Sequence, residues 1–261
     1  MNATSRLLEQ RSVGHVHLRM ERDGIAVMRE AGSAKCRIPR GSNEAILINT
    51  SGGLAGGDVV DIRAELGLGA ALTITSQAAE RVYRTLGPAA SVSVSLKAAP
   101  GSALFWMPRE TILFEGSALS RKLDIELADD ATLVAVESMM FGRTEMGEVV
   151  RQVSVEDQWR VRRAGKLVHA EAFRMGPDWS ATSATLAENR VTATLLMVSP
   201  QAELLLGALR EVLSPQDGAS ALNGKLVVRF LAKDGFHLRK TLIRALCVCL
   251  GRERLPKCWT F

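Results

Sequence analysis

Aromatic residues make up only 5% of the 261-residue chain, with one tyrosine, and there are just four cysteines and four histidines. The few aromatic side chains do not interleave with the basic ones as base-stacking platforms would, so nucleic-acid binding is not expected. No C-x-x-C pair occurs, and Cys247 and Cys249 lie two apart in a helical stretch, about 200° around the axis, so they cannot grip one ion. His15 and His17 share one face of a strand, but Gly14, Val16 and Leu18 offer no third ligand. Also absent are the G-x-S-x-G elbow and H-E-x-x-H, so a general base would have to be a carboxylate or His169. No apolar run reaches the ~18 residues of a spanning helix, and the start Met1-Asn2-Ala3-Thr4-Ser5-Arg6 lacks a hydrophobic signal core. The expectation is a cytosolic protein without a membrane partner, with Cys36, Cys247, Cys249 and Cys258 reduced and mostly buried.

What is present is an ordinary globular balance, 47% hydrophobic and 23% charged, long enough to bury a core without staples. The net charge of +5 is unevenly spread. Residues 1–40 carry 8 basic and 4 acidic groups and residues 225–261 carry 9 and 2, whereas the stretch between them carries 16 and 22. Two basic ends flank an acidic middle, which suits docking to a protein partner.

From residue 12 to about 199 the dominant period is two. Val60, Ile62, Ala64 and Leu66 alternate with Asp61, Arg63 and Glu65, and Val92, Val94, Leu96 and Ala98 alternate with Ser91, Ser93, Ser95 and Lys97. Leu119, Leu123, Ile125 and Leu127 alternate with Ser120, Lys122, Asp124 and Glu126. These read as half-buried strands, whereas 45–48 and 133–136 are apolar on both faces and read as central strands. Turn signals recur about every ten residues, among them Gly52-Gly53, Gly56-Gly57-Asp58, Pro100-Gly101 and Gly176-Pro177-Asp178. No fixed repeat length is evident. After Ser199 the period changes: Leu205, Ala208, Leu209, Val212 and Leu213 mark one helix, 225–232 a strand, and Phe236 to Leu250 a second helix with Phe236, Lys240, Ile243, Cys247 and Leu250 on one side. The fold expected is mainly β, a layered, sandwich-like or β-helical body of many strands with two C-terminal α-helices packed on it, over 1–261 as a single domain.

The Gly-rich stretch from Asn49 to Asp58 is not a phosphate loop. Gly57 is followed by Asp58 where a Walker loop needs Gly-Lys, and a strand follows instead of a helix. It reads as a tight turn. More informative are carboxylates on apolar faces: Glu137 shares its strand face with Leu133, Ala135 and Met139, and Glu171 shares its face with Leu167, His169 and Phe173. A buried carboxylate costs several kcal/mol unless paired, wetted or holding a cation. Two readings stand side by side: a salt bridge to an arginine such as Arg143, or a wet path where carboxylates meet a divalent metal.

Taken in order, Gly52-Gly53-Leu54-Ala55-Gly56-Gly57-Asp58, the stretch from Thr75 to Arg84, Pro108-Arg109-Glu110-Thr111-Ile112-Leu113-Phe114, the stretch from Gly142 to Glu148, and Leu255-Pro256-Lys257-Cys258-Trp259 resemble the hallmarks of the urease accessory protein family UreD, also called UreH. Arg81 and Lys257 depart from the Lys and Arg common there. The resemblance implies a mostly β, non-catalytic scaffold that assembles with UreF and the GTPase UreG, as a 2:2:2 complex, and docks on apo-urease. It also implies an internal acidic tunnel for transient Ni²⁺, with no tightly bound cofactor. Carried over, Glu137 lies five before the Gly-Arg pair, Glu171 matches the second acidic lining position, and Asp58 belongs to the hallmark turn. Two other classes fit the residues alone: a small-molecule enzyme using a buried Glu or His169 as base, and an interaction module with no metal role.

Overall fold

A computed structural model describes residues 11–143, 146–177, 179, 182, 185–251 and 255–259. The start of the chain with Arg6, Thr144 and Glu145 of the Gly-Arg motif, and Asp178 of the Gly-Pro-Asp turn lie outside the described residues. The chain winds between two facing sheets. The first sheet takes β1 (Val13–Glu21), β2 (Gly24–Gly32), β5 (Val59–Leu66), β8 (Ala90–Ala98), β11 (Ser117–Leu127), β13 (Val153–Arg163) and β14 (Lys166–Met175), in the order β14-β13-β11-β8-β5-β1-β2. The second takes β3 (Ala34–Arg37), β4 (Glu44–Asn49), β6 (Ala71–Ser76), β9 (Ala103–Met107), β12 (Thr132–Phe141), β15 (Val191–Val198), β16 (Gly218–Leu222) and β17 (Lys225–Ala232), in the order β16-β17-β15-β12-β9-β6-β4-β3. Short β7 (Glu80–Val82) and β10 (Thr111–Leu113) pair with each other, and β10 pairs with the end of β12.

Within each sheet the middle strands are parallel, because each coil of chain returns to stack on the previous one. This is the β-helical form of the expected architecture. The coils differ in length: Val59 pairs with Ser91, Ala90 with Leu119 and Ser117 with Val153, offsets of 32, 29 and 36 residues. Unequal coils explain why no repeat period shows in the sequence. The alternating strands behave as their parity dictates, with Ile62, Ala64, Leu66, Val94, Leu96, Leu123 and Ile125 buried between the sheets.

β12 is apolar on both faces for two separate reasons. Leu133, Ala135 and Met139 face the other sheet, while Val134 and Val136 face the helices. β4, read as central from its composition, instead lies next to the edge strand β3, with Ile46, Leu47 and Ile48 only half buried. The first helix is shorter than its apolar spacing suggests: a 3-10 turn over Ala202–Leu205 precedes α1 (Leu206–Val212). The second, α2 (Gly235–Leu250), begins at the Asp234 cap, which accepts the His237 N–H at 2.9 Å, and ends at Gly251 in the left-handed region. It buries Leu238, Leu242, Ala245, Leu246 and Cys249, whereas Phe236 of the other side is 74% exposed. The buried stripe is the more continuously apolar one, since the alternative contains Lys240.

The family-like motifs, distant in sequence, lie along one side of the solenoid, on or against the turns that carry successive coils from the second sheet to the first. Tyr83 donates its hydroxyl to the Gly52 carbonyl at 3.0 Å and packs edge-on against Phe114, ring centroids 5.2 Å apart; Arg143 lies 4.7 Å over the Phe114 ring. Gly53 has φ +148, and a Cβ there would sit 2.4 Å from the Tyr83 ring, so the turn needs glycine. Trp259 of the closing motif is buried and donates its indole N–H to the Met107 carbonyl at 3.0 Å. Cys36 and Cys249 are buried and Cys247 and Cys258 half-buried, and none of the four is in a disulfide. No described helix is long and apolar enough to cross a membrane.

Candidate functional site

Between the sheets lies a charged cluster in an otherwise apolar interior. Arg121 of β11 points inward from between Leu119 and Leu123, Glu137 comes from β12, and Asp157 from β13 lies between Val155 and Trp159. They are 4%, 5% and 5% exposed. The guanidinium makes a two-pronged contact with Asp157, Nε to Oδ1 at 2.9 Å and Nη2 to Oδ2 at 2.8 Å, and its Nη1 donates to Glu137 Oε2 at 2.5 Å. An indole serves each carboxylate: Trp106 Nε1 donates to Glu137 Oε1 at 2.8 Å and Trp159 Nε1 to Asp157 Oδ2 at 3.2 Å. Such full pairing is what lets two carboxylates sit in a dry interior. The salt-bridge partner expected for Glu137, Arg143, is elsewhere, bonded to Glu148 at 2.8 Å.

Two cavities meet at this cluster. One, of about 290 Å³, runs under β1, β5, β8 and β11 and reaches exposed Gly52, Gln77 and Ala78. The other, of about 440 Å³, lies under β13 and β14 and reaches exposed Ala170, Ala172 and Arg229. Arg121 and Glu137 are the residues that line both. Together the cavities trace a line across the strands, from the Gly-rich turn on one side to the β14 edge on the other, interrupted by the buried ion pair.

Glu171 lines the second cavity. It accepts hydrogen bonds from Thr194 Oγ1 at 3.2 Å and from Arg229, and its Oε2 makes an ion-pair contact with His169 Nε2 at 3.4 Å that lacks hydrogen-bond geometry. Its parity differs from expectation at one place. A bulge opposite Val161 and Arg162 inserts an extra residue in β14, so Leu167 turns outward at 55% exposure while His169, Glu171 and Phe173 keep the inner face. Asp58 is buried, but both oxygens serve the backbone, accepting from Ser12 N at 2.7 Å and Ala55 N at 2.8 Å. It lines neither cavity and clamps the Gly-rich turn to β1.

Strand parity alone could have found two residues that it was not used for. Arg121 and Asp157 occupy apolar-face positions as plainly as Glu137 does. Glu80, at the mouth of the first cavity, was also missed; Asn49 Nδ2 donates to both its oxygens at 3.3 and 3.1 Å. His15 is exposed, and His17 is half-buried with its nearest carboxylate, Glu65, at 3.8 Å. Among the described residues no group of three or more His, Cys, Asp or Glu is arranged to hold a metal.

The cluster's charge does not balance: two carboxylates share one guanidinium. Burial pushes the Glu137 carboxyl up to about 7, with Arg121 pulling it down and the Asp157 charge pushing it up. For Glu171 burial also pushes upward, but His169 and Arg229 outweigh it and hold the carboxyl below its usual range. The Glu137 shift has a measurable sign. Between its ordinary 4.5 and about 7, the unfolded chain releases the proton that the folded chain keeps, so this group's favourable contribution is complete below 4.5 and lost as pH rises to 7. Chemical denaturation from pH 4.5 to 7.5 should therefore show wild type losing stability relative to Glu137→Gln, by on the order of 3 kcal/mol. A difference independent of pH would contradict a raised Glu137.

The chain matches the family described as UreD urease accessory protein over residues 12–260. A urease accessory protein UreD of Chelativorans sp. (strain BNC1) is 44% identical over 250 residues, covering 93% of this chain and 90% of that protein. One from Rhizobium leguminosarum bv. trifolii (strain WSM2304) is 42% identical over 261 residues, covering 96% of each. Urease accessory protein UreD 1 of Brucella anthropi is 44% identical over 260 residues, covering 94% and 92%.

Proposed function

Because this chain belongs to the UreD family of urease accessory proteins, we propose that it serves urease maturation as a non-catalytic scaffold and passes Ni²⁺ through its interior. In this reading it joins UreF and the GTPase UreG in a 2:2:2 complex, docks in the cytosol on apo-urease, and binds the ion only in transit. The observation that carries the reading is the pair of cavities that meet at Glu137, with Glu171 on the far wall. A conduit has to bind its ion well enough to admit it and weakly enough to release it. Carboxylates bordering internal cavities suit that for Ni²⁺, whereas a cage of thiolates and imidazoles would hold an ion high in the Irving–Williams order. Asp58 supports the scaffold by holding the turn at the first mouth, and Glu80 adds an acidic group there.

Reconstitution tests this. Apo-urease given UreF, UreG, GTP and Ni²⁺ should gain activity only when this chain is included and co-purifies with UreF. Equal activation without it would overturn the proposal.

A further inference from the structure

The carboxylate pair at the junction of the cavities already has a cation in it. We infer that the Arg121 guanidinium is a built-in gate ion: it holds the place between Glu137 and Asp157 that a divalent cation takes in transit, and an ion crosses between the cavities by displacing it. The inference rests on the proposed passage of nickel through the interior, and deepens it by naming what interrupts the path.

Three observations lead there. Arg121 and Glu137 form the wall shared by the two cavities, so whatever crosses from one to the other has to pass this pair. The guanidinium bonds both carboxyl groups at once, with Thr111 Oγ1 3.4 Å from Nη1, so its withdrawal would leave two buried carboxyl groups facing one space, free to lose their protons to an arriving cation. One guanidinium neutralises only one of the two charges, whereas a divalent ion neutralises both. Arg121 also has somewhere to go, since it borders open volume on either side. Beyond it, Glu171 lines the second cavity, and its buried Oε2, 3.4 Å from His169 Nε2, makes no hydrogen bond and stands ready for an ion leaving the gate.

The arrangement answers a physical problem. Two carboxylates in a dry site would bind Ni²⁺ too firmly to release it, because attraction between charges strengthens as the local dielectric falls. A tethered guanidinium competes for the same oxygens, so the arriving ion spends part of its attraction displacing the arginine, and the returning arginine helps expel the ion. The chain then conducts where it would otherwise trap.

Removing the gate should turn the junction into a trap. Arg121→Met keeps an unbranched apolar stem of similar volume and discards the charged head. In EDTA this variant should melt below wild type or fail to fold; NiSO₄ should restore folding or raise its Tm. The protein should then retain one equivalent of Ni²⁺ through gel filtration, with an apparent Kd at least about tenfold below that of wild type. The triple variant R121M/E137Q/D157N, with no charge left to neutralise, should fold without metal and show no such response. The gate is wrong if Ni²⁺ neither rescues nor is retained by Arg121→Met, or if the triple variant responds equally. These outcomes concern the free protein and metal only. Failure of nickel passage itself would show separately, as normal urease loading by variants of Glu137 and Glu171.

Discussion

Arg121→Met, measured without metal, is expected to cost about 3–5 kcal/mol of folding stability, the range for removing one partner from a buried ion pair. The cost is not the loss of an attraction. It is the exposure of a burden: Glu137 and Asp157, each 5% exposed, would remain in the interior with only the Trp106 and Trp159 indoles as donors. In R121M/E137Q/D157N the same volume is filled without formal charge, and most of the loss should return, because well-packed neutral replacements of a buried ionic cluster are often neutral or stabilising. Urea denaturation of the three proteins measures both numbers. If the single and triple variants lose equal stability, the cluster contributes through packing and not through charge.

The second large effect falls on nickel loading. Glu137→Gln with Glu171→Gln removes both carboxylates proposed to line the path while keeping side-chain size, and in a co-expression assay should lower the nickel content and activity of urease by an order of magnitude or more. That expectation follows from the loss of hard anionic ligands where amide oxygens bind a divalent ion far more weakly. Binding to UreF should persist, since Glu137 is buried between the sheets and Glu171 is only slightly exposed. The glutamine pair is chosen over alanine because Thr194, Arg229 and Trp106 keep an oxygen to bond. Full nickel loading by the double variant would reject the conduit and leave a scaffold without a metal path.

Much of this was legible in the residues. The alternation in β5, β8 and β11 placed their inner faces, the double apolarity of β12 announced a strand covered on both sides, and 225–232 read as the strand it is. Glu137 and Glu171 stood out because an acid on an apolar face demands a partner. The errors have physical causes too. The β14 bulge changed the parity of Leu167, and the true inner face of α2 was masked by a competing stripe through Phe236. Arg143 was a reasonable partner for Glu137 by nearness along the chain, yet Arg121 on a neighbouring coil is the one that arrives.

The sequence by itself determined the inward side of the regularly alternating strands, where helices replace strands, and that Glu137 and Glu171 sit on apolar faces, because these depend on periods of two and 3.6 within short segments. Only the tertiary structure decided that Arg121, Glu137 and Asp157 meet, that two cavities join at them, and that Asp58 serves the backbone instead. Those facts depend on how coils of 32, 29 and 36 residues stack and on which positions oppose each other across two sheets. Parity gives the face of a strand but not the neighbour that stands opposite.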